Sequence, residues 1–188
     1  MSMTLNPVNE AAFQKAVQSL ETLNRAAVFH PTGTGKSCIA WKVVEAHPQT
    51  TFFWLVAGAQ RLALRQAELT RYNGGTLPGN VRFCDCEKLA AATPEQWVRL
   101  GEQKPGCVVL DCYHELSAVC WAQSVQKLLR MCPQAKVLGL GVPNGAPVCA
   151  AAQELFADCI VSHMTVAEAM AAVVQRFQYL GNLSGGFL

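Results

Sequence analysis

The stretch from His30 to Ser37 constrains this chain most, because its glycines, lysine and hydroxyl residues follow a spacing that holds phosphate groups. It reads His-Pro-Thr-Gly-Thr-Gly-Lys-Ser and lies between the apolar run 26–29 and the helix-compatible segment 37–46. A polyphosphate site needs backbone N–H groups in a concave loop, an ammonium group, a hydroxyl for a metal ion and a helix N-terminus. All four are present, so the stretch predicts a nucleotide-binding phosphate loop, although His30 replaces the glycine that usually begins the pattern.

Each residue of the loop has a predicted role. Gly33 and Gly35 allow the backbone to turn and to approach a ligand closely. Lys36 reaches the β- and γ-phosphates, and the Ser37 hydroxyl binds Mg²⁺. The predicted nucleotide contacts are Thr32, Gly33, Thr34, Gly35, Lys36 and Ser37. The structural alternative is a glycine-rich turn that only connects a strand to a helix.

Composition indicates one globular domain. The chain has 188 residues, of which 51% are hydrophobic and 15% charged, and this length can bury a substantial core. No apolar run approaches the ~20 residues that cross a bilayer, and the first residues lack a secretory signal pattern, so we expect a cytoplasmic protein with no membrane partner. We expect a single domain at 1–180 and a flexible tail at 181–188. The net charge of +2 neither indicates nor excludes nucleic acid as a partner.

Apolar, β-rich runs alternate with helix-compatible segments along the chain. Predicted strands are 25–30, 51–56, 81–84, 107–111 and 136–140. Predicted helices are 9–23, 36–46, 59–72, 94–100, 118–131, 148–156 and 165–177. This alternation predicts an α/β fold with a mainly parallel sheet. The four tryptophans stand singly among apolar neighbours, so we expect them to pack in the core rather than to stack on bases.

Asp111 is the candidate for the metal-holding acid that a phosphate loop needs. Such an acid is commonly an aspartate at the end of a neighbouring apolar strand, and Asp111 follows the apolar run 107–110. An aspartate after a strand is also a common turn former, so it is the upstream loop that favours the metal role. The nine cysteines form no C-x-x-C pair, and zinc is not expected.

Between about Gln14 and Met170 the chain resembles the first RecA-like domain of a superfamily 2 helicase of the DEAD/DEAH type. Residues 31–37 match that family's motif I, and residues 55–66 are similar to motif Ia. Residues 111–114, Asp-Cys-Tyr-His, lie where the family has Asp-Glu-x-His, and residues 137–143 lie where it has a strand ending in Ser/Thr-Ala-Thr. The resemblance implies a three-layer RecA-like P-loop NTPase fold, with ATP and Mg²⁺ as ligands.

The resemblance also implies roles for individual residues. Gln14, which follows Phe13, would read adenine, and His114 would face the γ-phosphate side of the cleft. Arg61 and Arg65 fall in the helix after the motif Ia strand, from which they would contact a DNA or RNA backbone. Without the resemblance, both arginines fit a solvated helix face, and His114 fits an ordinary hydrogen-bonding role.

Two departures from the family's motifs predict impaired catalysis. Cys112 replaces the Glu that orients the attacking water, and a mostly neutral thiol is a poor acceptor. Loss of a positioned general base typically costs roughly 10²- to 10⁴-fold in rate. The segment 141–143, Gly-Val-Pro, lacks the hydroxyls that would couple the nucleotide to strand separation. The predicted catalytic positions are Lys36, Asp111, Cys112 and His114, with hydrolysis weak or absent.

We also expect no second RecA-like domain within these 188 residues. Such a domain, supplied in trans, would bring arginines worth roughly 10³- to 10⁵-fold in related phosphoryl transfer. The leading hypothesis is an ATP·Mg²⁺-binding helicase-type domain that contacts nucleic acid and does not unwind it alone. Two alternatives stay open: a noncatalytic interaction module that keeps the fold, and a piece of a longer helicase.

Overall fold

A six-stranded parallel sheet forms the centre of the protein. The structure is a computed structural model that describes residues 3–111, 119–143 and 154–172, except for the side chains of 119–121. The strands are β1 (Arg25–Phe29), β2 (Phe52–Val56), β3 (Val81–Asp85), β4 (Cys107–Asp111), β5 (Lys136–Gly141) and β6 (Ile160–His163), in the order β3-β2-β4-β5-β1-β6. The helices are α1 (Pro7–Thr22), α2 (Lys36–Ala46), α3 (Ala59–Tyr72), α4 (Cys86–Ala90), α5 (Pro94–Glu102) and α6 (Val119–Met131), and residues 154–156 and 166–172 are also helical. None of the helices within these ranges is long and apolar enough to cross a membrane.

Helices cover both faces of the sheet and form two apolar layers. α1, α2 and α3 pack on one face, where Trp54 and Val109 belong to the core. α4, α5 and α6 pack on the other face, where Phe53 and Val108 belong to the core. Neighbouring residues of one strand therefore enter opposite layers, as the alternating side-chain directions of a strand require. This is the three-layer α/β architecture that the sequence predicts.

The five predicted strands are confirmed, with small changes at their ends. α2, α3 and β4 have the predicted bounds. The helices predicted at 148–156 and 165–177 lie partly outside the described residues, which are helical at 154–156 and 166–172. α4 and β6 are absent from the predicted elements because they are only 5 and 4 residues long. β6 also carries Ser162 and His163 in place of a continuous apolar run.

The beginning of α1 is determined by local sequence and positions one residue of the candidate site. The Asn6 side chain accepts a hydrogen bond from the backbone N–H of Asn9 at 2.8 Å. Pro7 occupies the first turn, where its missing N–H costs nothing. An Asn cap followed by Pro therefore starts the helix here, and Asn9 falls in its first turn.

The register of the sheet brings the carboxyl ends of β1 and β4 to the same edge. Asp111 pairs with Leu140 of β5, and Leu140 pairs with Val28 of β1. With one strand between them and a spacing of about 4.8 Å per strand, the Cα atoms of Asp111 and Val28 lie roughly 10 Å apart. The phosphate loop begins two residues after Val28. Ligands of open parallel sheets bind outside this carboxyl edge, so Asp111 ends its strand on the edge that carries the loop.

Candidate functional site

The phosphate loop that joins β1 to α2 has the backbone of an anion-binding loop. Gly33 has φ +83° and Gly35 has φ +91°, both in the left-handed region that favours glycine. Among the described non-glycine residues, only Asn24 and Lys104 have positive φ, so the threonine between the two glycines has an ordinary φ. Such alternation turns successive N–H groups toward one concave side, which binds anions. The loop then leads directly into a helix N-terminus, which also favours negative charge.

Asn9 of α1 contacts this loop. Its Nδ2 donates to the carbonyl oxygen of Thr34 at 2.8 Å, and the residue is only 3% exposed. A Cβ on Gly35 would lie 2.7 Å from the same Nδ2, whereas a Cβ on Gly33 would meet nothing within 4 Å. Gly35 is therefore required both by its φ and by the space it occupies, and Gly33 by its φ alone.

Gly35→Ala is expected to cost more stability than Gly33→Ala. Both substitutions place a Cβ in the left-handed region, which costs about 1–2 kcal/mol, and only the change at Gly35 also collides with Asn9. Denaturant unfolding of the two variants measures the difference. Asn9→Ala in the Gly35→Ala background should recover the extra loss, and equal losses in the two single variants would contradict the collision.

The Lys36 ammonium is held by its own loop. Nζ donates to the carbonyl oxygen of His30 at 2.6 Å and to that of Pro31 at 2.8 Å. The Thr34 hydroxyl donates to the same Pro31 oxygen at 2.7 Å. Ser37, the predicted metal ligand, follows in the first turn of α2 and is half-buried. A phosphate group that enters the loop would therefore compete with two carbonyl oxygens for this ammonium.

His30, at the position that departs from the usual pattern, ties the loop to two strands. Its side chain is buried, and Nε2 lies 2.8 Å from the Ser162 hydroxyl oxygen in β6. Its backbone N–H donates to the carbonyl oxygen of Gly141 at the end of β5, at 3.1 Å. Burial, with the charges of Lys36 and His163, lowers the pKa of His30 to about 4. The imidazole is therefore neutral at pH 7 and has a structural role in holding the loop.

His30 is expected to make the protein less stable in mild acid. The pKa of His30 is about 4 in the folded state, against the ordinary value of 6.5 that we expect in the unfolded chain. Between pH 4 and pH 6.5 the unfolded chain therefore binds a proton that the folded chain does not. Stability should therefore fall as the pH drops from 6.5 toward 4, by about 2 kcal/mol between pH 7 and pH 4.5. Urea unfolding of wild-type protein and His30→Gln at several pH values measures this, because the other histidines are common to both. Identical pH profiles would show that the pKa of His30 is the same in the folded and unfolded states.

Asp111, the candidate metal ligand, is enclosed at the end of β4. Its side chain is 3% exposed. Oδ2 accepts a hydrogen bond from the Trp54 indole Nε1–H at 3.1 Å and one from Arg65 Nε–H at 2.6 Å. Trp54 is fully buried and stacks on Phe83, with ring centroids 6.0 Å apart. A fixed indole and an arginine side chain therefore share one oxygen of the carboxylate.

The resemblance assigns Arg65 to nucleic acid, but in the structure its guanidinium forms an ion pair with Asp111. Its Nη1 also donates to a carboxylate oxygen of Glu68, in the next turn of α3. Burial acts to lower the pKa of Arg65, but the charges of Asp111 and Glu68 outweigh it and raise the pKa above its ordinary value. With a side chain that is 21% exposed, Arg65 is a permanently charged counter-ion of Asp111.

The remaining predicted site residues lie on exposed helix faces or outside the described residues. Gln14 is exposed on α1, where its Nε2 donates to a carboxylate oxygen of Glu10 at 2.9 Å. Arg61 is exposed in the first turn of α3. Cys112 and His114 lie outside the described residues. The predicted contacts of Gln14 with adenine and of Arg61 with nucleic acid stay predictions.

Sequence reasoning missed two residues of this site. Asn9 lies inside a predicted helix, and its contact with Thr34 spans 25 positions, so no local pattern marks it. Trp54 was expected in the core, and the burial of Trp41, Trp54 and Trp97 confirms that expectation for these three tryptophans. The side chain of Trp121 lies outside the described residues. The second role of Trp54 is its hydrogen bond to Asp111. The sequence contained a signal for it, because a buried indole N–H needs an acceptor and Asp111 is a polar residue at the end of another predicted strand.

Comparisons with known proteins find similarity at the level of structure. No protein-family model and no curated protein matches the sequence. The DUF1998 helicase MrfA has a TM-score of 0.59 at 15% identity, over 87% of this chain and 33% of that protein. A hypothetical ATP-dependent RNA helicase from Sulfolobus tokodaii has a TM-score of 0.58 at 12% identity, over 86% and 52%. The ATP-dependent Type ISP restriction-modification enzyme LlaBIII, bound to DNA, has a TM-score of 0.62 at 12% identity, over 91% and 16%.

The fold is RecA-like, as in these structural neighbours. At 12–15% identity the likeness concerns the fold alone. The chain spans between 16% and 52% of the length of these three proteins. The roles of the site residues therefore depend on the geometry of the chain itself.

Proposed function

We propose that this protein is an ATP·Mg²⁺-binding helicase-type domain that contacts nucleic acid, with weak or no hydrolysis by itself. The observation that carries the proposal is a loop with alternating φ that leads into α2, on the sheet edge where Asp111 ends β4. Concave backbone N–H groups, an ammonium and a nearby acid are the parts that a nucleoside triphosphate requires. Two of the structural neighbours are named as ATP-dependent, which supports the same ligand.

The residues present fit a magnesium ion by their chemistry. Ser37 offers a hydroxyl and Asp111 a carboxylate, and Mg²⁺ prefers such oxygen ligands. Asp111 is paired with Arg65 in this structure, so Mg²⁺ would take the place of the guanidinium at this carboxylate. Bound Mg²⁺ would offset the negative charge of the β- and γ-phosphates. Lys36 would exchange its two carbonyl partners for phosphate oxygens, while the loop N–H groups hold the phosphate chain.

Calorimetric titration with ATP, ADP and GTP, each with and without Mg²⁺, tests the nucleotide role. We expect saturable ATP binding that Mg²⁺ strengthens, because the metal would share the phosphate charge with Asp111 and Ser37. No ATP binding at millimolar concentration would reject the proposal.

Nucleic acid is proposed as the second ligand because of the position of Arg61. It is exposed at the N-terminal turn of α3, and both arginines and helix N-termini commonly bind phosphate groups. Among the structural neighbours, one is named as an RNA helicase and another is bound to DNA. Titration with labelled single-stranded DNA and with labelled single-stranded RNA shows which of the two nucleic acids binds. The protein partner that would complete a motor is a second RecA-like domain supplied in trans.

Cys112→Glu is expected to raise the ATP turnover of this chain roughly tenfold or more without changing ATP affinity, because it supplies a general base. When these 188 residues are assayed alone, the gain should fall short of the full effect of a base, since no second domain is added to supply arginines. Phosphate release measures it, and Cys112→Gln is the control because it has the same length without the carboxylate. Rapid hydrolysis by the wild-type protein would contradict the role given to Cys112.

One observation favours a second candidate, a noncatalytic interaction module that has kept the fold. Lys36 is bonded to the loop carbonyls and Asp111 to Arg65 and Trp54, so the charges of the site have partners within the protein. Such a module would not bind ATP, or would bind it equally with and without Mg²⁺. The same titration therefore separates the two functions.

A further inference from the structure

The ion pair of Arg65 and Asp111 is closed to water on the carboxylate side. Arg65 Nε lies 2.6 Å from Asp111 Oδ2, and the Asp111 side chain is 3% exposed against 21% for Arg65. A buried carboxylate needs a positive or hydrogen-bonding partner to stay ionised. Arg65 supplies a full charge, and Trp54 supplies one N–H.

The two groups that share Oδ2 differ in their freedom to move. Trp54 is fully buried on β2, which has a neighbouring strand on each side, in the core layer beneath α1, α2 and α3. Arg65 extends from α3, and its outer end contacts Glu68, whose side chain is 42% exposed. Moving Trp54 would disturb the core, whereas moving Arg65 requires only that one long side chain rotate toward solvent. Arg65 is therefore the displaceable partner of the carboxylate.

A divalent cation and a guanidinium at one carboxylate repel each other. Unlike charges attract and like charges repel far more strongly when they are shielded from water than when they are solvated. A single carboxylate cannot neutralise both cations. Any cation that uses Asp111 therefore binds more weakly while Arg65 stays in place.

Arg65 also lies within reach of the helix face that would meet a phosphate backbone. Arg61 precedes it by four residues on α3, and residues at this spacing project from the same side of a helix. The planar guanidinium binds phosphate with the same fork geometry that it uses for carboxylate. A nucleic-acid phosphate is therefore an alternative partner for the group that covers Asp111.

We propose that Arg65 is a built-in competitor of the divalent cation for Asp111, and that a nucleic-acid phosphate which takes up the Arg65 guanidinium opens Asp111 to the metal. The inference rests on the proposed ATP·Mg²⁺ function and adds a link between its two ligands. The link is reciprocal, because a metal ion on Asp111 equally releases Arg65 toward a phosphate. Arg65 acts here as a positioning residue.

Binding of Mn²⁺ alone, followed by electron paramagnetic resonance without nucleotide, tests the competition. Arg65→Gln is expected to tighten Mn²⁺ binding at least tenfold, because it removes the competing charge and keeps a polar side chain. Arg71→Gln removes the same charge from the last turn of α3 and should change the affinity less than twofold. Asp111→Asn, added to Arg65→Gln, should abolish the increase in Mn²⁺ affinity. Equal or weaker Mn²⁺ binding by Arg65→Gln than by the wild-type protein would overturn the proposal.

Thermal unfolding of the same variants shows whether each variant is folded, so that a change in Mn²⁺ binding is not mistaken for loss of the fold. Arg65→Gln should unfold at a lower temperature without metal, and Mn²⁺ should raise that temperature more in this variant than in the wild-type protein. Glu68→Gln keeps Arg65 but removes the charge of its second carboxylate partner, so the guanidinium should pair more strongly with Asp111 and Mn²⁺ binding should weaken by a few fold. If Arg65→Gln does not fold, Glu68→Gln decides, and unchanged or tighter Mn²⁺ binding by that variant counts against the competition.

A short single-stranded oligonucleotide tests the coupling. It should tighten Mn²⁺ binding to the wild-type protein and leave the affinity of Arg65→Gln unchanged, after correction for Mn²⁺ bound by the oligonucleotide itself. Sodium chloride at equal ionic strength is the control, because chloride does not offer the fork of oxygens that a phosphate group offers to a guanidinium. An oligonucleotide that acts alike on both proteins would refute the coupling. Failure of the nucleotide proposal has a different signature, because it would appear as absent ATP binding whatever the Mn²⁺ results.

Discussion

Lys36→Ala is expected to weaken ATP binding by roughly 30-fold or more, because truncating one partner of a close charge pair costs about 2–5 kcal/mol and each 1.4 kcal/mol is a factor of ten. Lys36 is the only lysine or arginine between residues 30 and 37, and His30 is neutral at pH 7 because its pKa is lowered to about 4. In this structure the ammonium donates to the carbonyl oxygens of His30 and Pro31, and we expect the variant to fold. Calorimetry with ATP·Mg²⁺ measures the affinity, and the ATP-dependent rise in unfolding temperature should disappear.

Lys42→Ala is the matched control for Lys36→Ala. Lys42 lies on the same helix and pairs with Glu45 at 2.8 Å, away from the loop. Its loss should change ATP affinity less than twofold. If Lys36→Ala binds ATP as well as Lys42→Ala does, the loop is only a turn between β1 and α2, and the nucleotide proposal fails.

Asp111→Ala is expected to lower the free energy of unfolding by about 3 kcal/mol, because it leaves a largely buried guanidinium and a buried indole N–H without their acceptor. For a chain of this size that corresponds to a fall of roughly 10 °C in the unfolding temperature. Arg65 keeps Glu68 as a second partner, which limits the loss. Urea unfolding at pH 7 measures the effect.

Asp85→Ala is the comparison for Asp111→Ala, because Asp85 is also a buried aspartate at the last position of its strand. Its side chain caps α4 by accepting from the Glu87 backbone N–H at 2.9 Å, and loss of a cap costs about 1 kcal/mol. Asp111→Asn keeps an acceptor oxygen, so its loss of unfolding free energy should lie between those of Asp85→Ala and Asp111→Ala. A loss in Asp111→Ala no larger than in Asp85→Ala would show that the contact with Arg65 contributes little.

Local patterns were sufficient to predict the sheet and the phosphate loop. The bounds of α2, α3 and β4 follow from apolar periodicity within each element. The loop could be predicted because its parts are contiguous in sequence. β6 could not, because it is short and has few apolar residues, and its strand pairing with β1 joins segments more than 100 positions apart.

The contacts around the two charges of the site could not be predicted in the same way. Trp54 and Arg65 reach Asp111 across 57 and 46 positions. The resemblance assigns Arg65 to nucleic acid, and the structure gives it Asp111 as a partner. No periodicity or spacing encodes such a pair, since it forms only when distant elements remove the same carboxylate from water.

The sequence by itself determined that this protein is a parallel α/β domain with a glycine-lysine-serine loop between its first strand and the following helix. Both features depend on short stretches whose side chains act on their own backbone. Only the tertiary structure decided that Asp111 lies level with Val28 across β5, and that Arg65 is its counter-ion. The physical reason is that register and ion pairing are determined by which groups are buried together, and burial depends on the packing of the whole sheet against its helices.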